Sequence, residues 1–130
     1  MNRPTQGLLL VAHGARDPHW ARPFDDVAAR VASARPAAAV RLGFLELMAP
    51  TITDAGAALA EAGCTEVDVL PLFLGAGGHV RRDLPRLVDE LSVAHPTVRW
   101  RLRSAVGETE PVVAAMAAAA VGLLAPGEAK

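Results

Sequence analysis

Only one cysteine, Cys64, occurs in the 130 residues. That excludes a disulfide framework within the chain and a thiolate cage around a metal. Cys64 follows Gly63 at an expected helix end and reads as a small buried residue. An excess of basic charge is also missing: 13 Lys and Arg stand against 14 Asp and Glu, for a net charge of −1. A general nucleic-acid binder would carry a basic surplus. Residues 1–7 lack the charged start, long apolar centre and cleavage site of a signal peptide. The longest apolar stretch, Val112 to Ala125, is alanine-rich and falls short of the roughly 20 residues that cross a bilayer. A cytoplasmic chain that meets neither nucleic acid nor membrane is therefore expected. No linker, repeat or second domain stands out, so residues 1–130 read as one domain.

What is present is a large apolar fraction, 52% of residues, enough for a folded core. Leu8-Leu9-Leu10-Val11-Ala12 is a short continuous apolar run, as expected of a strand buried on both faces. Phe24, Val27, Ala28 and Val31 then follow helical spacing. Asp17-Pro18 suits an N-cap and first helical position. Pro23 conflicts with a straight helix from there, which predicts a late start or a kink. A second strand covers about Ala39 to Leu45. Thr51 looks like the next N-cap and Gly63 the helix stop. A third strand runs from Glu66 to about Leu70 and loosens at Pro71, which has no amide hydrogen. Leu84, Leu87, Val88 and Leu91 mark a helix that ends before Pro96. Val98, Trp100 and Leu102 alternate with Arg99, Arg101 and Arg103, a half-exposed strand whose arginines read as a solvated face. A last helix runs from about Glu110 to Leu124. Its segment Val112 to Ala120 is apolar almost all round, and such a helix is usually buried on more than one side.

The order βαβαβαβα implies a parallel sheet with helices on both faces. The first and third strands are the most apolar and belong in the middle. The fourth has a polar face and the second carries Arg41, so both suit edges. The simplest order is 2-1-3-4, in a flavodoxin-like α/β domain. The winding reverses between the first and third strands. Ligands in such sheets bind beyond the carboxyl ends of the strands at that reversal.

Two segments fall at this point. One is Ala12-His13-Gly14-Ala15-Arg16-Asp17, after the first strand. The other runs from Leu74 to Asp83, between the third strand and its helix. This topology places His13 and His79, each in a glycine-flanked loop, across one crevice, and the second strand ends beside them near Glu46. Two imidazoles and a carboxylate with open positions suit a borderline divalent ion such as Co²⁺, Fe²⁺, Ni²⁺ or Zn²⁺. Gly75, Gly77 and Gly78 let the backbone turn sharply and approach a large ligand. They lead into a helix N-terminus, whose free amides attract anions. Arg81 and Arg82 in its first turn oppose the helix dipole, a conflict that an anionic ligand would resolve, and Arg16 faces the same crevice. The dipole also disfavours a proton on His79, keeping its imidazole available as a ligand. His19 and His95 fall outside the crevice.

These segments resemble the class II tetrapyrrole chelatases of the short CbiX/SirB type, which act on sirohydrochlorin. The resemblance spans nearly the whole chain. It rests on Leu8 to Pro18, on Phe44-Leu45-Glu46, and most specifically on Pro71-Leu72-Phe73-Leu74-Gly75-Ala76-Gly77-Gly78-His79-Val80-Arg81-Arg82-Asp83. It implies a metal-binding histidine at His13 and at His79, the first also regarded as a proton acceptor. It further implies contacts with metal or macrocycle from Glu46 and from the loop Leu74, Gly75, Ala76, Gly77, Gly78 and His79. Many relatives have serine where this chain has Ala15, so any hydroxyl contact there is lost. The implied activity is insertion of a divalent metal, with cobalt favoured, into sirohydrochlorin. The metal is a substrate and no cofactor is permanently bound. Short members resemble one lobe of a two-lobed long form, which implies a homodimer.

Other readings stay open at this point. Iron insertion toward sirohaem, or nickel insertion, uses the same ligand set. A metal or tetrapyrrole carrier without turnover is a reading of another class. A phosphate- or nucleotide-binding flavodoxin-like domain is a third, although no complete phosphate-loop or dinucleotide fingerprint occurs.

Overall fold

In the computed structural model, β1 (Gln6–Ala12) and β3 (Glu66–Pro71) lie at the centre of a four-stranded parallel sheet. The structure describes residues 5–75 and 77–127, without the side chain of His79. β2 (Ala39–Phe44) and β4 (Arg99–Leu102) form the edges, giving the order β2-β1-β3-β4. Leu10 is level with Leu42 on one side and with Leu70 on the other. The most apolar strand is therefore hydrogen-bonded along both flanks.

The crossover helices start and stop where local chemistry dictates. Asp17 caps a 3-10 turn, Pro18–Ala21, by accepting the His19 N–H at 2.9 Å. α1 (Arg22–Ala34) begins only after that turn, with Pro23 in its first turn. Pro23 needs no amide partner there, so the helix starts late rather than kinking. Thr51 caps α2 (Ile52–Glu61) by accepting the Asp54 N–H at 3.1 Å. Gly63 ends it at φ +101°, a conformation that glycine adopts without strain. α3 (Gly78–Ala94) starts earlier than its apolar periodicity shows and contains Pro85. α4 (Glu110–Val121) closes the described order.

The two faces of the sheet differ. Leu9, Val11, Val67 and Val69 are each 0% exposed under α2 and α3, where they meet Ile52, Leu59, Leu84, Val88 and Leu91. Each such side chain stabilises the fold by roughly 1.5–3 kcal/mol. The other face holds a smaller cluster, Leu10, Ala12, Ala21, Leu42 and Phe44. Around it Leu8, Val40, Leu70, Leu72, Trp20, Phe24 and Ala28 are only partly buried. α1 lies chiefly over β2, and no α1 residue is fully buried.

Two expectations change. The β4 arginines are not merely solvated: Asp68 pairs with Arg103 at 2.8 Å and with Arg101 at 3.1 Å. Neighbouring parallel strands put a carboxylate and two guanidiniums on one face, and they find each other. Among the described residues, α4 is not covered by its own chain either. Its principal contact is the 3-10 turn Val106–Glu108 just before it, and only Val112 is half-buried.

Candidate functional site

β1 delivers His13 to the carboxyl edge of the sheet as the first residue beyond the strand. The ladder continues past the strand ends: the Leu45 N–H donates to the Ala12 carbonyl and the Glu46 N–H to the His13 carbonyl, both at 3.0 Å. His13 and Glu46 are thus backbone neighbours, and both side chains are exposed. From the other flank, the segment just beyond β3 supplies Phe73. The His13 imidazole lies on the Phe73 ring with centroids 4.2 Å apart and planes 28° from parallel. Phe73 is 5% exposed. A rigid ring beneath one face restricts the orientations of the exposed imidazole.

Backbone geometry fixes this junction. Gly14 sits at φ +98°, and a Cβ there would overlap the Glu46 carbonyl. Only glycine lets the two segments approach so closely. Leu47 is the one described non-glycine residue with positive φ, +66°. The Met48 N–H donates to the Glu46 carbonyl at 2.8 Å across it. This is a γ-turn of the rarer, strained hand. It leaves the Leu47 side chain 58% exposed at the edge. Leu74, beyond β3, is 72% exposed. The Gly107 N–H donates to the Phe73 carbonyl at 2.8 Å, and a Cβ on Gly107 would overlap the Leu74 backbone.

His79 is the second residue of α3 rather than part of a loop. Its side chain, and all of Ala76, lie outside the described residues. Among the described residues no group of three or more His, Cys, Asp and Glu is placed to hold a metal ion. Gly75, Gly77 and Gly78 have negative or extended backbone, and a Cβ at each would meet nothing within 4 Å. The backbone does not demand glycine there; the glycines leave open space in front of α3. That helix has neither a side-chain cap nor an acidic residue in its first turn, so its leading amides face the same space. Arg81 lines a hollow of about 250 Å³ with Pro71, Val80, Arg103 and Glu108. Arg16 and Arg82 are exposed, on the loop after β1 and on the first turns of α3.

The CbiX family model matches residues 7–121. This chain belongs to the CbiX family. A sirohydrochlorin cobaltochelatase of Methanococcoides burtonii is 32% identical over 82 residues, 63% of this chain and 63% of that protein. The chain spans about three fifths of the length of the curated relatives it matches. Among solved structures, a CbiX protein of Marinobacter aquaeolei VT8 assigned to cobalamin (vitamin B12) biosynthesis superposes with TM-score 0.79. It is 27% identical, and the match covers 91% of this chain and 96% of that one. SirB from Bacillus subtilis with Fe³⁺ superposes with TM-score 0.80 at 26% identity, over 94% of this chain but only 48% of that one.

Within this CbiX chain the structure brings together His13, Glu46 and Phe73, with Leu74 directly following Phe73. Cys64 is excluded from the site: it is buried, and burial pushes its thiol above the ordinary range. His95 lies at the far end of α3 as its C-cap. Phe73, Leu47, Gly14 and Gly107 carry no role in the reading of the sequence, although each shapes the site. Phe73 and Gly14 adjoin residues that did attract attention. The contacts that give them meaning cross between strands, and sequence spacing does not reveal those.

Proposed function

We propose that this chain is a sirohydrochlorin chelatase that inserts a divalent metal, with cobalt as the physiological ion. The observation that carries the reading is an exposed imidazole, His13, held flat on Phe73 at the carboxyl edge of a CbiX-family sheet. Glu46 adjoins it through the backbone, and the N-terminus of α3, with His79, faces the same edge. His13, His79 and Glu46 hold the incoming ion and leave positions open for the macrocycle nitrogens. Leu47 and Leu74 offer apolar contact to the macrocycle edge. Gly75, Ala76, Gly77 and Gly78 admit it, and Arg16, Arg81 and Arg82 offset its carboxylates.

Insertion exchanges M²⁺ for the two pyrrolic protons, so two H⁺ leave for each ion inserted. His13 accepts a proton as general base once its lone pair is released from the metal. One nitrogen cannot hold both at once, so ligand and base follow in sequence. The ion is substrate on the way in and part of the product on the way out, with no resident cofactor. The reading includes a cytoplasmic setting; no helix among the described residues is long and apolar enough to cross a membrane. It also includes residues 1–130 as one functional lobe working as a homodimer, because SirB is about twice the length that this chain matches.

Sirohydrochlorin absorbance with Co²⁺, Fe²⁺ and Ni²⁺ in turn tests the proposal. We expect metallation faster than in protein-free controls, fastest with Co²⁺, and a loss of about 100-fold or more in His13→Ala and in His79→Ala with unchanged far-UV circular dichroism. Near-normal rates in either variant would remove that histidine from the mechanism. Metal uptake without faster metallation would make the protein a carrier. Iron outpacing cobalt would assign it to sirohaem formation, an outcome that the Fe³⁺-bound SirB keeps in play.

A further inference from the structure

We infer that one carboxylate arm of the macrocycle seats in the hollow between α3 and the segment after β4, and that Leu102, Ser104 and Glu108 decide how tightly it is held. The inference rests on the sirohydrochlorin reading above and adds these three residues to it. The hollow holds about 250 Å³. A whole small ligand fills about 300–1,000 Å³, so this space suits an appendage rather than a ring. Its apolar part comes from Pro71, Leu84 and Leu102. Leu102 is 37% exposed, an open apolar surface that a methylene stem would cover. Its polar part is Arg81, Ser104 and Glu108, all three exposed. A guanidinium and a hydroxyl both donate to a carboxylate.

The alternation of the chain puts these groups on one side. Trp100 packs against the core under α2 and α3, and Leu102 and Ser104 follow it at spacings of two. Arg101 and Arg103, between them, pair with Asp68 instead. On α3, Val80 and Leu84 are buried, and Arg81 follows Val80 at the rim. The amino end of α3 also favours an anion through its dipole. A cationic side chain or a metal ion would be drawn to Glu108 but repelled by Arg81 and by that dipole. A carboxylate is the better occupant, and Glu108 weakens its hold.

The position fits a substrate whose centre lies over His13. Arg81 is two residues past His79 on α3. The Val106–Glu108 turn is fixed to the Phe73 carbonyl through the Gly107 N–H at 2.8 Å, and Phe73 carries the His13 ring. Arm seat and imidazole are thereby tied to one piece of backbone. An arm anchored here keeps the macrocycle from sliding along the edge, so its nitrogens meet His13 in one register.

Sirohydrochlorin binding without metal, followed by absorbance, and metallation with Co²⁺ test the inference on the full chain. Leu102→Trp fills the hollow from a partly exposed position. It should keep native circular dichroism, weaken macrocycle binding about tenfold with a matching rise in KM, and leave kcat within about twofold. Ser104→Ala should weaken binding about threefold, and Glu108→Gln should tighten it about threefold. Val93→Trp, at an 82% exposed position near the other end of α3, should change nothing. Fully methyl-esterified sirohydrochlorin has no carboxylate, so Glu108→Gln should not tighten its binding. Wild-type affinity and KM in Leu102→Trp overturn the seat. Weaker binding in Glu108→Gln, or equal tightening of the ester, overturns the carboxylate. If Leu102→Trp misfolds, Glu108→Gln on the surface still decides the sign. A wild type that binds sirohydrochlorin without metallating it sinks the chelatase reading alone, because the binding shifts decide the seat. A wild type that does not bind it overturns both.

Discussion

The two edges of the sheet end in opposite ways. At the amino edge the backbone is satisfied at once. The Thr65 and Glu66 N–H groups donate to the Thr5 carbonyl at 2.8 and 3.1 Å, and the Arg99 N–H donates to the Thr65 carbonyl at 2.8 Å. Arg99 reaches Glu66 at 3.7 Å. The carboxyl edge instead holds a positive-φ leucine, glycines pressed against neighbouring backbone, two leucines turned to solvent and an imidazole stacked on a buried ring. Backbone strain persists only where the surrounding structure enforces it. The positive-φ leucine and the close backbone approaches at Gly14 and Gly107 lie at the edge that the proposed function assigns to chemistry. A hollow of about 490 Å³ runs along β2 to Met48 and Pro50, and the one beside Arg81 holds about 250 Å³; the hollow at the amino edge holds about 400 Å³. Its lining is Thr65, Glu66 and residues 96–99, with its charges already paired. The amino-edge hollow therefore offers volume without unmet chemistry.

The largest way to break the contrast is Gly14→Ala. The added Cβ meets the Glu46 carbonyl, and alanine resists φ +98°. Relieving the overlap must push the Glu46 segment away from His13. We expect a loss of about 3 kcal/mol in stability and most of the metallation activity. Denaturant unfolding and the sirohydrochlorin assay check this. A variant of native stability would show that the two segments need not touch.

Next comes Phe73→Leu. Leucine keeps most of the buried volume, so unfolding should cost only about 1.5 kcal/mol. The imidazole loses its flat support, and kcat/KM should fall roughly tenfold, the rate equivalent of one stacking contact. Cobalt titration followed in the visible absorption bands supplies a second readout, because a loosened ligand alters the spectrum even where the fold is intact. An unchanged spectrum and rate would reduce Phe73 to a core residue.

Leu47→Gly should act in opposite directions on stability and on activity. Glycine relieves the positive φ, worth about 1–3 kcal/mol, and gives back about half to one in unfolded-state entropy. A net gain of about 1 kcal/mol in thermal unfolding is expected. The lost apolar side chain should raise KM for the macrocycle. A lower melting temperature would mean that the turn is not strained.

Much of this edge was open to reading from residue order alone, for a reason specific to parallel sheets. Strand apolarity sets the order 2-1-3-4, and that order determines which strand ends are neighbours. His13 and Glu46 could be paired in this way because each lies within two residues of a strand end. The N-caps at Asp17 and Thr51 announce themselves by side-chain type. Phe73 and Leu47 could not be found so, since their roles depend on a ring-to-ring contact and on one backbone angle. The bareness of α4 was hidden for another reason. Its composition says that it must be covered, but not that its own chain leaves it uncovered.

The smallest effect sharpens the contrast from the quiet side. Arg99 and Glu66 have side chains 71% and 47% exposed, and the 3.7 Å approach is loose. Such a surface pair contributes between nothing and about 1 kcal/mol, and less in salt. Arg99→Ala should therefore lower stability by at most about 0.5 kcal/mol and leave metallation within error of the wild type. The substitution removes a cation beside the amino-edge hollow, so it asks directly whether anionic substrate ever reaches that edge. If metallation fell as far as in Phe73→Leu, with stability unchanged, the macrocycle would have to span both ends of β4. The assignment of one edge to structure and the other to chemistry would then be wrong.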